Sequence, residues 1–350
     1  MVSTVLPRVA RPPSADELTL ADVDAIRLLL RGESIIDWHR LSFADHSEVD
    51  RFLRLNEFDP ESDDEMGRLE DIRGDAVDYL SRAFAMAIPD EVAADLPARD
   101  LFLVASSSGP HQKWACVVLK VMHIIQHING RAALLKMSVS DEIIFREIEL
   151  KVMAVVEQLR AAGAPLAEWE WSRKPHDSQI TKLLAKRSSI AANIYDKLRF
   201  RLIVPQQDDL IPMLATLTRQ LIPFNYVVPG ESLNQLVDLA EMVRKQAQRR
   251  DGIITPTPPL TVNEFSGPEY RIINFVADLP LRIERMLPRA DHPADQTHVV
   301  FVLTEFQIAD KATSIRNESG ASSHEAYKAR QHERVRMRLF RDKDDPLPPD

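Results

Sequence analysis

The chain has 350 residues, 45% of them hydrophobic and 28% charged, with a formal net charge of −9, a balance that excludes a disordered or fibrous protein. The negative balance also excludes a protein that coats nucleic acid through bulk electrostatics, although a local basic patch can still hold phosphates. Cys116 is the single cysteine, so no intramolecular disulfide forms, and the opening MVSTVLPRVARPPSADE lacks the apolar core of a signal peptide. No run of about eighteen apolar residues occurs, so a cytoplasmic protein without a membrane contact is expected.

The length favours two modules, or one with helical decoration. Residues 1–14 are rich in Pro and small side chains and read as a flexible tail. Residues 15–105 read as a helical N-terminal region, in which ADVDAIRLLL and EVDRFLRL repeat apolar residues at three-to-four spacing and Glu57 to Glu65 is an acidic, Pro-containing connection. The run Ser106-Ser107-Ser108-Gly109-Pro110 breaks structure, and a second domain is placed at 111–340. It opens on helices over WACVVLKVMHIIQHI and DEIIFREIELKVMAVVEQLRAAG, the latter carrying Ile144, Ile148, Val152, Val155 and Leu159 along one stripe. A short basic helix, SQITKLLAKR, precedes LRFRLIV, whose alternation predicts a strand with Leu198, Phe200, Leu202 and Val204 on one face. DDLIPMLATLTRQL and SLNQLVDLAEMVRKQAQRR read as helices, and EYRIINFVADL and THVVFVLTEFQI as strands after a Pro-rich connection. Residues 341–350 are charged, Pro-rich and read as a second flexible tail. The order implies an α+β fold, a mixed β-sheet flanked by helices, with the helical N-terminal region added.

Chemistry-bearing residues gather in four segments. Arg173, Lys174, Ser178, Lys182, Lys186 and Arg187 collect cations and a hydroxyl, with Ser178 and Lys182 one helical turn apart. Lysine acts on phosphate as a point charge and arginine as a fork, although taken alone such a run reads first as a solvated helix face. Asp196 stands at the start of the LRFRLIV strand, where a hard carboxylate suits magnesium, and Lys197, Arg199 and Arg201 share the face opposite the apolar one. Glu305 and Gln307 lie on one face of the last strand. A carboxylate on such an apolar strand needs a metal, a cation or water beside it. Glu318, Gly320, His324, Tyr327 and Lys328 surround a turn into a helix.

In this order the segments resemble the synthetase domain of RelA/SpoT-type alarmone enzymes, over about Ser140 to Arg336. Lys174, Ser178 and Lys182 keep the spacing of that family's basic segment R-x-K-x-x-x-S-I-x-x-K, with Arg173 displaced by one position. Tyr195, Asp196, Arg201, Ile203 and Val204 match its Y-D-x-x-x-x-R-x-I-V strand. Glu305 and Gln307 match its E-x-Q, and Glu318, Gly320, His324, Tyr327 and Lys328 its E-x-G-x-x-x-H-x-x-Y-K. The resemblance implies transfer of the β,γ-pyrophosphate of ATP to the 3′-hydroxyl of a guanosine nucleotide, with Mg2+ as cofactor. It implies that Asp196 and Glu305 hold the metal, that Glu305 alternatively activates the acceptor hydroxyl, and that the basic segment holds phosphates. Tyr270 stands near the place of the family's base-stacking tyrosine, but Ser266-Gly267-Pro268-Glu269-Tyr270 echoes that segment only weakly and lacks its histidine. Two other outcomes stay open: a catalytically silent nucleotide-sensing or protein-interaction module, and an enzyme that pyrophosphorylates the 3′ end of tRNA. His123 and His127, four apart on a helix, have a zinc-compatible spacing, but their apolar neighbours favour packing.

Overall fold

The computed structural model describes residues 11–14, 17–32, 42–136, 139–185, 197–242, 269–283, 299–319 and 324–340. Helix α1 (Leu20–Arg31) starts where the Thr19 hydroxyl accepts from Asp22 N and Asp22 returns a carboxylate to the Thr19 backbone. This reciprocal cap satisfies two otherwise unpaired amides. The helix stops at Gly32, whose φ of 56° is left-handed, a conformation glycine adopts without a Cβ clash. Helices α2 (His46–Leu55), α3 (Asp63–Phe84), α4 (Leu101–Ser106) and α5 (Gln112–Lys136) bury Val49, Phe52, Leu69, Leu101, Phe102 and Leu119 in one cluster. The Ser106 to Pro110 break is the turn between α4 and α5.

Among the described residues five strands form one sheet in the order β1-β2-β5-β4-β3. They are β1 (Glu168–Arg173), β2 (Leu198–Val204), β3 (Val227–Asn234), β4 (Ile273–Arg282) and β5 (Val299–Asp310). β2 and β5 run parallel, and the other neighbours antiparallel. One face carries Leu198, Phe200, Leu202, Val204, Phe275, Leu279, Val300, Phe306 and Ile308 into the main core. Helices α1, α6 (Asp141–Ala161) and α8 (Leu210–Gln220) cover that face, and the α6 stripe from Ile144 to Leu159 is buried there as its spacing predicts. Phe200, Phe306 and Phe275 stack across three strands with ring centroids 5.7 and 5.5 Å apart. Each such buried ring contributes about 1.5–3 kcal/mol from burial alone. Helix α7 (His176–Ala185) is the expected basic helix, and α9 (Lys311–Asn317) and α10 (His324–Leu339) follow β5. The result is an α+β fold with a mixed sheet flanked by helices. No helix of the described residues is long and apolar enough to cross a membrane.

Two elements differ from the sequence reading. Residues 168–173 form an edge strand that periodicity does not reveal, because EWEWSR is exposed along nearly its whole length and carries no buried alternate face. Ser232, Leu233 and Asn234, expected to begin a helix, instead finish β3, where they pair with Phe275, Asn274 and Ile273. The Asn234 side chain then accepts from the backbone N–H of Leu236 and Val237, turning the chain before a helical turn at 239–242. Side-chain capping of this kind ends the strand locally, while the pairing with β4 overrides helix propensity.

Helix α5 lies against the start of β5 through Gly130, where a Cβ would come within 2.4 Å of Phe301 and 2.8 Å of the Val299 carbonyl oxygen. Alanine has the better helix propensity by about 1 kcal/mol, but overpacking costs about 1–3 kcal/mol, and here the obstacle includes backbone. Gly130→Ala is therefore expected to lower the urea midpoint despite its helical position. An unchanged or raised midpoint would show that α5 shifts freely on the sheet.

Candidate functional site

The face of the sheet opposite the main core is polar at one end. Register places Glu170, Arg201, Gln307 and Asn274 in one row across β1, β2, β5 and β4, and Ser172, Arg199, Glu305 and Val276 in the next. Glu305 is buried, with its side chain 6% exposed, and its charge is met by Arg199, whose Nε donates to Oε2 at 2.6 Å. Gln307 Nε2 donates to the other oxygen at 3.2 Å. Arg201 reaches Glu170 at 3.4 Å and Glu318 at 3.5 Å, and donates to Ser314 Oγ at 3.2 Å. Two polar atoms in these rows, Arg201 Nε and Asn274 Oδ1, are buried without a protein partner. Burial costs such atoms their water, so they are the positions a ligand would satisfy.

Tyr270 approaches the same rows. Burial raises its phenol above the ordinary value, the Arg201 and Arg199 guanidiniums oppose that rise, and Glu305 and Tyr327 add to it. Its segment is clamped to α9, where Asn317 accepts from the Arg271 N–H and donates to the Arg271 carbonyl. Ser178 and Lys182 stand one turn apart and half-buried on α7, which packs on α10. The Lys174 N–H donates to the Lys197 carbonyl, tying the start of α7 to the strand that carries Arg199 and Arg201.

Glu305, Gln307, Arg201 and Tyr270 are thus gathered on one face, with Lys174, Ser178 and Lys182 on the adjoining turn and helix. Arg173 is not gathered with them. Its register partner is Leu198, on the apolar side of β2, and it forms a forked pair with Glu149 of α6 at 2.5 and 2.8 Å. Asp196, Lys186 and Arg187 lie outside the described residues. Arg199, Glu170 and Asn274 are the site residues that sequence reasoning passed over as specific partners. The alternation of β2 marks Arg199 as polar-facing, but only strand register brings it to Glu305.

For magnesium, the two rows offer the buried carboxylate of Glu305 beside the carboxamides of Gln307 and Asn274. Among them no group of three His, Cys, Asp or Glu side chains gathers to hold a metal ion. Magnesium is commonly held by one or two carboxylates plus substrate phosphates and water, so Glu305 fits one ligand position of such a site.

The two α5 histidines have different partners. His127 Nε2 lies 2.7 Å from Asp278 Oδ2. His123 lies tilted against Tyr226 with centroids 4.6 Å apart, and burial, with His127 adding to it, lowers its pKa from 6.5 to about 3. The unfolded chain binds that proton more readily than the folded one, so the stability held in neutral His123 is complete above pH 6.5 and is lost as the pH falls toward about 3. His123→Gln should flatten this part of the stability profile by up to about 1.4 kcal/mol per pH unit. Urea midpoints of the two proteins that fall in parallel with pH would contradict it.

No family model matches the chain, and no curated protein matches it. Among solved structures the chain is similar in fold to the small alarmone synthetase 1 from Bacillus subtilis, at 14% identity over 57% of this chain and 86% of that one, with a TM-score of 0.31. It is similar also to a GTP pyrophosphokinase family protein from Streptococcus pneumoniae, at 15% identity over 56% and 82%, with a TM-score of 0.29. The small alarmone synthetase 2 from Bacillus subtilis stands at 13% identity over 57% and 90%, with a TM-score of 0.28. These likenesses are weak and concern the fold alone, so the chemistry of the site stands on this chain's own side chains.

Proposed function

We propose that the chain transfers the β,γ-pyrophosphate of ATP to the 3′-hydroxyl of a guanosine nucleotide. The observation that carries the reading is Glu305, a buried carboxylate set in register opposite Arg199, with Arg201 in the next row opposite Gln307 on the same sheet face. In this reading Lys174, Ser178, Lys182 and Arg201 hold the ATP phosphates, and Tyr270 stacks on a base. The acceptor 3′ oxygen attacks the β-phosphorus, the bond from that phosphorus to the α–β bridging oxygen breaks, and AMP leaves. Glu305 takes the proton of the attacking hydroxyl or, with Asp196, holds magnesium. Magnesium bound there neutralises phosphate charge as it shifts in the transition state. The remaining work is positioning and electrostatics, which a rigid sheet face supplies.

Incubation with magnesium and γ-labelled ATP, and separately GDP, GTP or tRNA, tests the reading. Label on GDP or GTP is expected. Label on tRNA alone would instead identify an RNA-end enzyme. The 2.6 Å pair that Arg199 makes with Glu305 favours one second reading, a nucleotide-sensing module whose carboxylate is already occupied. ATP binding that weakens in Lys182→Ala, with no transfer to any acceptor, would support that module. Absence of ATP binding would overturn both.

A further inference from the structure

The polar face does not end at Glu305. Asp278 of β4 lies opposite Leu303, one row along from the Val276–Glu305 pair and on the same face, about 7 Å further along the strands. Its carboxylate is buried, with its side chain 5% exposed, yet it faces two half-exposed side chains from α5, an imidazole and a guanidinium. His127 approaches Oδ2 at 2.7 Å and Arg131 approaches the same oxygen at 3.5 Å, while Oδ1 has no partner. Below them Tyr226 is fully buried with its hydroxyl unpartnered, and Phe301 meets the His127 ring edge-on at 4.8 Å.

The geometry is that of a held pair of donors. His127 and Arg131 stand four apart on one helix, so their side chains lie over the same patch. Asp278 engages Nε2 of the imidazole, and that contact fixes the ring beside Arg131. Arg131 has one long contact in this cluster, and its planar fork of N–H donors matches phosphate oxygens. Gly130 lets α5 approach the sheet closely between the two residues.

We propose that Arg131 and His127, anchored by Asp278, form a second anion subsite that takes the 5′-diphosphate of the acceptor nucleotide. This rests on the pyrophosphate-transfer reading and adds to it the position of the acceptor. With the reacting hydroxyl at Glu305, the acceptor's phosphate chain lies one row or more along the same face, under α5. The ATP phosphates stay with α7, which follows β1 and so lies across β2 and β5 from Asp278.

The test uses the full chain and measures label transfer to GDP and to guanosine in the wild type, Arg131→Ala, Arg131→Lys and His127→Gln. Arg131→Ala is expected to raise KM for GDP about tenfold, as loss of a charged phosphate contact does. KM for guanosine and for ATP should not change, kcat should stay within about twofold, and Arg131→Lys should recover part of the loss by keeping the charge without the fork. Equal changes for GDP and guanosine would overturn the subsite, and a raised KM for ATP alone would assign it to the donor instead. If the wild type transfers no label at all, the pyrophosphate-transfer reading has failed, and equilibrium binding then decides the subsite by itself. GDP binding weakened about tenfold by Arg131→Ala, with guanosine binding unchanged, would support it, and unchanged GDP binding would overturn it.

Discussion

Glu305→Gln is expected to lower pyrophosphate transfer by about 10²–10⁴-fold, the range of a positioned proton-transferring group. The substitution keeps the size of the side chain and its place on β5 between Arg199 and Gln307. It removes the charge that either holds magnesium or accepts the acceptor's proton. Because both roles act in the transition state, kcat and kcat/KM should fall together while KM for ATP stays close to that of the wild type. Arg199 loses its 2.6 Å counter-charge in the variant but keeps a third of its side chain exposed to solvent, so folding should survive. A rate within about threefold of the wild type would remove Glu305 from the chemistry and leave Arg201, Tyr270 and the basic helix to explain the site.

Lys151→Ala is expected to be the most destabilising of these substitutions, at up to about 3–5 kcal/mol, because it takes the close cation from a buried carboxylate and leaves it only Arg282 Nε at 3.7 Å. Lys151 of α6 is 6% exposed and donates to Glu57 at 2.6 Å and to the Pro280 carbonyl at 2.7 Å. Glu57 is itself buried and sits at a φ of 65°, a left-handed conformation that a non-glycine residue holds only under constraint from its surroundings. Arg282 of β4 supplies part of that constraint by donating to the Glu57 carbonyl at 2.7 and 3.1 Å while pairing with Glu65 of α3. This network joins the N-terminal helices to α6 and the sheet, so its loss should lower the urea midpoint of the whole chain rather than loosen one helix. Combining Lys151→Met with Glu57→Gln should recover much of the loss, since no unpaired buried charge then remains. A Lys151→Ala cost below about 1 kcal/mol would mean that water already reaches Glu57.

The amphipathic pattern of the chain determined the parts of this fold that depend on neighbours two to four residues away. The alternation of LRFRLIV and THVVFVLTEFQI separates Phe200 and Phe306, which stack in the core, from Arg201, Glu305 and Gln307, which share the opposite face. The α6 stripe, the basic helix α7 and the mixed α+β order were legible for the same reason, since helix and strand periods are local properties of side-chain direction. The spacing of Lys174, Ser178 and Lys182 was legible too, because one helical turn decides it.

Tertiary structure alone decided which of these faces meet. EWEWSR becomes a strand because β2 offers it an edge, and Ser232 to Asn234 leave the expected helix because β4 needs a partner. The register of β2 on β5 turns Arg199 from one exposed cation among three into the counter-charge of Glu305, and the register of β1 on β2 sends Arg173 to Glu149 on the other side. Lys151 finds Glu57 across 94 residues, and His127 finds Asp278 across 151. Burial makes Glu305, Glu57, Lys151 and Asp278 depend on a partner, and a buried charge accepts only the partner that folding brings within a few ångströms. Period and composition do not encode that separation, because it is set by how strands pair and helices pack over the whole chain.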